Sequence, residues 1–179
     1  MDSARERQEV HSEARALIIG YGNISRRDDS VAMHIIRRLR DRLGMPEWQG
    51  ESEPNETDEN PATIFLHQLA PELAEGIAHY DLVVFVDAHV EGVGWEPVHR
   101  QEITPAYRAN MVTHHLKPDS VLAFCRSLYG RCPKGYIVSV LGHDFDFGEE
   151  LSPATSALAD EAVEGLVDLL RTEGIGANG

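Results

Sequence analysis

Two hydrophobic rhythms alternate along the chain. Short apolar runs at Ala16–Tyr21, Ala62–Leu66, Leu82–Val86 and Tyr136–Leu141 are separated by longer stretches in which apolar residues recur at helical spacing. Runs of that length, rich in β-branched and aromatic side chains, predict strands; the 3.6-residue spacing predicts helices laid on them. Val31, Ile35, Ile36, Leu39 and Leu43 fall on one face of the first predicted helix, with Arg37, Arg38, Arg40 and Arg42 on the others. It should end at Leu43-Gly44, with Pro46 beyond. Pro71 opens a second helix to about Ala78, and Pro118 a third to about Leu128. Ser152 caps and Pro153 starts a fourth, whose stripe is Leu158, Val163, Leu166, Val167 and Leu170 and whose stop is Gly174. Glu96–Ile103, with Pro97 near its start, reads as an edge strand. About five strands interleaved with four helices predict an α/β fold: a three-layer α/β/α sandwich on a mostly parallel, mixed twisted sheet.

Length changes this picture little, because 179 residues suit a single domain with a full core. Three segments fall outside the pattern: a flexible N-terminus at 1–15, a surface insertion at 45–62 and a C-terminal tail at 172–179. The insertion holds Glu47, Glu51, Glu53, Glu56, Asp58 and Glu59 without one Lys or Arg, and is read as a solubilising loop. The net charge of −14 argues against nucleic acid, which needs clustered cations to displace counterions, and against anionic membrane surfaces. Two cysteines, Cys125 and Cys132, are too few for a disulfide scaffold and poorly spaced for zinc. No run reads as a signal peptide or membrane span, so a cytoplasmic protein is expected.

The candidate chemistry lies where strands end. Gly20-Tyr21-Gly22-Asn23 gives a tight turn after the first strand, followed by Arg27-Asp28-Asp29 at the mouth of a helix. Ser25 and Asp28 match a capping box, which accounts for Asp28 and leaves Asp29 over. The unbroken run Leu82–Val86 ends in Asp87, and a carboxylate just past a buried strand is costly unless something satisfies it. In open α/β sheets ligands bind in the crevice at these carboxyl ends. His67 follows the second strand at the same edge, and the adjacent pair His114-His115 lies in a later loop. Two carboxylates and an imidazole suit a borderline divalent ion such as Ni²⁺ or Zn²⁺, although no sequence-local ligand motif is present. No Ser-His-Asp or Cys-His setting offers a nucleophile, since Cys125 sits on the apolar face of its helix.

Four motifs in order, Gly20-Tyr21-Gly22-Asn23 with Arg27-Asp28-Asp29, Val86-Asp87-Ala88, Thr113-His114-His115 and Gly148-Glu149-Glu150-Leu151-Ser152-Pro153, resemble those of the [NiFe] hydrogenase maturation proteases. The resemblance runs from about residue 16 to 170. It implies a cytoplasmic metal-dependent, aspartic-type endopeptidase that removes the C-terminal extension of a hydrogenase large-subunit precursor after nickel insertion, acting as monomer or homodimer. It implies Asp29, Asp87 and His115 as the metal-contacting positions, with His114 the alternative to His115, and Asp29 and Asp87 as the catalytic acids. The Ni²⁺ would arrive on the precursor, with Zn²⁺ or Cd²⁺ able to take its place. His67 and Asn23 are assigned to the substrate groove. The chain departs from the family pattern in having Asp29 where Glu is frequent and Ser30 where Gly is common. The same residues admit two other readings. A dinucleotide-binding module lacks the third glycine and would set Asp28 and Asp29 against a pyrophosphate. A non-enzymatic nickel or precursor chaperone would share the fold without the cleavage.

Overall fold

In a computed structural model of the chain, residues 13–50, 57–107 and 116–176 are described. Strand β1 (Ala16–Tyr21) leads through a single 3₁₀ turn (Arg27–Ser30) into helix α1 (Val31–Arg42). There follow β2 (Ala62–Leu66), α2 (Leu73–Ile77), β3 (Leu82–His89) and β4 (Val98–Ile103). Helix α3 (Pro118–Tyr129), β5 (Lys134–Leu141) and α4 (Pro153–Thr172) complete the order. The strands form one sheet in the order β2-β1-β3-β5-β4, parallel except for β4, which runs antiparallel to β5 at the edge.

Both faces of the sheet are covered, which is why its strands read as unbroken apolar runs. On one face Ile18, Val84, Val86 and Val138 pack with Ile35, Ile36 and Leu39 of α1 and Val163, Leu166 and Leu170 of α4. On the other, Leu17, Ile19, Val83 and Phe85 pack with Ala74 and Ile77 of α2 and Val121, Leu122 and Cys125 of α3. This is the three-layer arrangement expected from the sequence. The fourth helix starts as its sequence dictates, with the Ser152 hydroxyl accepting the Thr155 amide and Pro153 in the first turn.

Several boundaries move for identifiable reasons. Strand β3 runs three residues beyond its apolar stretch, with Asp87, Ala88 and His89 in register with Ser139, Val140 and Leu141. Ladder pairing is a backbone property, so Asp87 lies inside the strand and not past it. Strand β4 begins only at Val98, because Pro97 has no amide to give; its carbonyl still accepts the Leu141 amide. Helix α2 starts at Leu73, after a turn in which Pro71 accepts the Ala74 amide.

The ends of the acidic stretch are anchored. The Arg40 guanidinium, 4% exposed, donates to both oxygens of Glu59 (2.6 and 2.7 Å), to the Pro46 carbonyl and to the Thr63 hydroxyl. A buried cation is tolerable only when its N–H groups all find acceptors, and here they do. Asn60 accepts the Ala16 amide and donates to the Ala14 carbonyl. These anchors sit at the amino ends of β1 and β2, away from the edge that carries the candidate chemistry. Residues 51–56 lie outside the described ones. Among the described residues no helix is long and apolar enough to cross a membrane.

Candidate functional site at the carboxyl edge of β1 and β3

From β1 the chain moves outward to β2 on one side, while β3 lies on the other, so the strand order reverses at the β1/β3 pair. A crevice opens at such a reversal, beyond the carboxyl ends of the strands. Tyr21 and Asp87 stand there. Gly20 pairs with Val86, which places Tyr21 level with Asp87, and Asp87 pairs in turn with Ser139 and Ser139 with His99. Because side chains alternate along a strand, this makes a polar row across four neighbouring strands on the α2/α3 face.

The turn after β1 returns Asp29 to this edge. Gly22 has φ +148°, a conformation that side chains rarely adopt, and a Cβ there would run into the Asp29 carbonyl oxygen. The Gly22 amide donates to the Leu66 carbonyl (3.1 Å), and the Asn23 amide donates to Asp29 Oδ2 (3.1 Å). Asn23 in turn accepts the Ser25 amide (2.9 Å). Asp29 thus faces a cleft of about 370 Å³ lined by Tyr21, Asn23, Arg26, His67, Gln68 and Leu116, among others. The same bond uses a loop amide that a dinucleotide phosphate would need, which goes against the nucleotide reading.

Asp87 is half satisfied. The Tyr21 hydroxyl donates to its Oδ2 (2.9 Å), while Oδ1 is sealed from solvent and has no hydrogen-bond partner among the described residues. Burial pushes its carboxyl up to about 6; the neighbouring Ser139 hydroxyl and the Tyr21 hydroxyl pull the other way, and the Asp29 carboxylate adds to the rise. Ser139 Oγ is within hydrogen-bond distance of His89 Nδ1 (3.0 Å), so it leaves Oδ1 unpaired. Tyr21 itself is held well above its ordinary range, by burial first and by Asp87 second. One side chain therefore joins the two acids: the Tyr21 ring lines the cleft with Asp29, and its hydroxyl grips Asp87.

The fold brings Asn23, Asp29 and His67 into one cleft and sets Asp87 beside it through Tyr21. His114 and His115 lie outside the described residues; Leu116, which follows them, lines the cleft. Among the described residues no three His, Cys, Asp or Glu side chains converge to hold an ion. The donor set nevertheless fits a divalent cation, because an unpaired buried carboxylate oxygen is costly unless a cation or proton comes to it. Cys125 offers no nucleophile: it is buried, its Sγ meets the Ala74 carbonyl at 3.0 Å, and burial pushes its thiol up to about 11.

Asp28 corrects the sequence reading. It does not take part in a capping box with Ser25, and neither the 3₁₀ turn nor α1 has a side-chain cap. Arg27, at φ +35°, turns the chain so that its amide meets the Gly148 carbonyl while the Gly148 amide meets the Ser25 carbonyl. Asp28 is then driven inward, fully buried. Its carboxylate accepts the His143, Asp144 and Ser152 amides and the Ser152 and Thr155 hydroxyls, all at 2.7–2.8 Å. Burial alone would raise its pKa, but the Ser152 hydroxyl and the three amides outweigh it and bring it down to about 2. Asp28 is the knot that ties the β1 turn to the loop before α4.

Tyr21 and Ser139 were also missed as site residues. A signal for Tyr21 existed, since Leu17, Ile19 and Tyr21 alternate onto the face that carries Val83, Phe85 and Asp87. Ser139 carried none, because its position depends on the pairing of β3 with β5, some fifty residues apart in the chain.

This architecture, with its acidic crevice at the strand-order reversal, defines an α/β protein with the fold of the hydrogenase maturation endopeptidases. The solved structures that show it include the hydrogenase maturating endopeptidase HybD from E. coli, 24% identical, covering 90% of this chain and 94% of that one, TM-score 0.60. A second is the [NiFe] hydrogenase maturation protease HycI from Thermococcus kodakarensis KOD1, at 22% identity, 90% and 95% coverage and TM-score 0.59. An endopeptidase from Escherichia coli solved in solution gives 24%, 90%, 94% and 0.63. No protein-family model and no curated protein matches the sequence.

Proposed function

We propose that the chain is an endopeptidase that trims the C-terminal extension of a [NiFe] hydrogenase large-subunit precursor once nickel has been inserted. The observation that carries this reading is the pair Asp29 and Asp87 at the β1/β3 crevice, with one buried oxygen of Asp87 left unpaired. The likeness in fold to proteins named as hydrogenase maturation endopeptidases supports it. Asp29, Asp87 and His115, or His114 in its place, would complete the coordination of nickel carried in by the precursor. Bound there, the cation supplies positive charge beside the scissile peptide.

The chain's own residues do the positioning. The Asn23 amide fixes the Asp29 carboxylate, and the Tyr21 hydroxyl fixes one oxygen of Asp87 so that the other is left for the incoming cation. His67 and Asn23 line the cleft in which the extension would lie. Because only a loaded precursor satisfies both acids, metal loading is tested before the cut. A chaperone that holds the precursor without cutting would use the same acids, so the deciding observation is the fate of the peptide bond.

Precursor purified with and without nickel and incubated with the protein is expected to lose its C-terminal peptide, by intact mass, only when loaded. No loss from either form would leave a carrier role. Loss from the nickel-free form would remove the metal test from the account.

A further inference from the structure

Three loops leave the carboxyl edge of the sheet beside the crevice, and each carries apolar side chains into solvent. The β1 turn carries Ile24, the β3–β4 connection carries Val90, Val93 and Trp95, and the loop before α4 carries Phe147. Phe147 is the extreme case, at 89% exposed. A single exposed apolar residue needs no explanation, but a line of them at one edge does.

The loops are also stiff and mutually tied. The Arg26 guanidinium donates to the Phe145 carbonyl (3.1 Å), the Gly148 amide to the Ser25 carbonyl (3.0 Å), and the Asp146 amide to Asp144 Oδ1 (2.9 Å). The Phe145 ring lies so close on Gly142 that a Cβ there would not fit. The Gly142 amide meets the His89 carbonyl, which joins this loop to the β3–β4 connection. Phe145 is thus tucked in, while Phe147, two residues on, is held out. A ring held out by a fixed backbone gives up little conformational freedom on docking, which favours its use as an anchor.

Charge selects the occupant. Asp146, Glu149 and Glu150 flank Phe147, are exposed, and enter no ion pair among the described residues. A second copy of this chain would set the same acids against themselves across a two-fold interface, and the net charge of −14 adds to that repulsion. A partner with an apolar pocket bordered by Lys and Arg meets both features. The surface is continuous with the cleft, since Ile24 follows Asn23, which lines it.

We infer that Phe147, with Ile24 and its acidic neighbours, is the anchor that docks the folded body of the substrate protein while that protein's C-terminal segment enters the cleft. The inference rests on the peptidase reading for the identity of that protein. Specificity is then set by a basic-rimmed apolar pocket on the precursor, remote from the cleaved bond.

The test compares Phe147→Ala, and separately Asp146→Lys with Glu149→Lys, against the wild type on two substrates: the nickel-loaded [NiFe] large-subunit precursor and a short peptide spanning its cleavage site. Calorimetric binding to the precursor is measured in parallel with Asp87→Asn as the uncleaving control. Phe147 is solvent-exposed, so its removal leaves the fold intact. Roughly tenfold or greater weakening of precursor binding by Phe147→Ala is expected, in KM and not kcat, with any peptide turnover unchanged. The charge-reversed variant should weaken binding and flatten its salt dependence. Precursor binding and processing by Phe147→Ala equal to wild type would overturn the docking surface and leave the peptidase reading standing. Failure of the wild type to bind the precursor at all would instead sink the peptidase reading. A wild-type dimer that Phe147→Ala dissociates would assign the patch to self-association and overturn the inference.

Discussion

Asp87→Asn is expected to abolish precursor cleavage while making the metal-free protein more stable at pH 8, by about 2 kcal/mol. The two effects have one cause. The Asp87 carboxyl is raised to about 6 because burial disfavours its charge and Oδ1 has no partner. A carboxyl raised in the folded state contributes stability below its unfolded pKa, near 4, and that contribution is lost as pH rises through about 6. At pH 8 the wild type therefore carries an ionised, half-satisfied acid that the neutral amide removes. The Asn oxygen can still accept from the Tyr21 hydroxyl, and its NH₂ can reach toward Ser139. For the same reason kcat/KM of the wild type should rise with pH through an apparent pKa near 6, since the cation must meet the ionised form. Urea titrations of both proteins at pH 5 and pH 8 check the first statement. A variant less stable than wild type at pH 8 would show that Asp87 is held in the fold for structural reasons.

Asp28→Ala is expected to be the most damaging substitution in the chain outside the apolar core, costing about 4 kcal/mol or more. It strands three amides and two hydroxyls that now converge on one carboxylate, the Ser152 and Thr155 donors buried and the His143 and Asp144 amides half-buried. Against a total stability on the order of 10 kcal/mol, much of the fold's margin goes. Activity should fall as well, although Asp28 lines no part of the cleft, because the turn carrying Asp29 loses its tie to the loop before α4. The wild type reports the same group by acid titration. A carboxyl lowered to about 2 contributes stability above its unfolded value, and about 2 kcal/mol is lost as pH falls from about 4 to 2. A variant within 1 kcal/mol of wild type would mean that water replaces the carboxylate, and the knot would be a minor feature.

These two acids also show how far the sequence could be read. Strand and helix identities were legible because the sheet is covered on both faces, and unbroken apolar runs announce that burial directly. Asp29 was legible as a candidate because Gly22 must turn and the following carboxylate is left over, and Asp87 because an acid follows the most apolar run in the chain. Asp28 was misread because Ser25-x-x-Asp28 is a locally sufficient cap, while its true partners, residues 143–155, are more than a hundred positions away. Local chemistry offered one answer and tertiary structure supplied more donors. Tyr21 and Ser139 fail for a related reason: their role lies in cross-strand register, which needs β1, β3 and β5 aligned before it exists. The acidic stretch held a similar surprise, since a charge run that reads as solvated sends Glu59 inward to the buried Arg40.

The claim on which the rest depends is that Asp29 and Asp87 share one cation at the carboxyl edge of β1 and β3. Anomalous diffraction from crystals soaked in Ni²⁺ or Cd²⁺ tests it most directly. The expected result is a single strong peak bonded to one oxygen of each carboxylate and to an imidazole of His114 or His115. A peak that touches neither carboxylate, or no bound ion in crystals whose β1/β3 cleft is open to the soak, would contradict it.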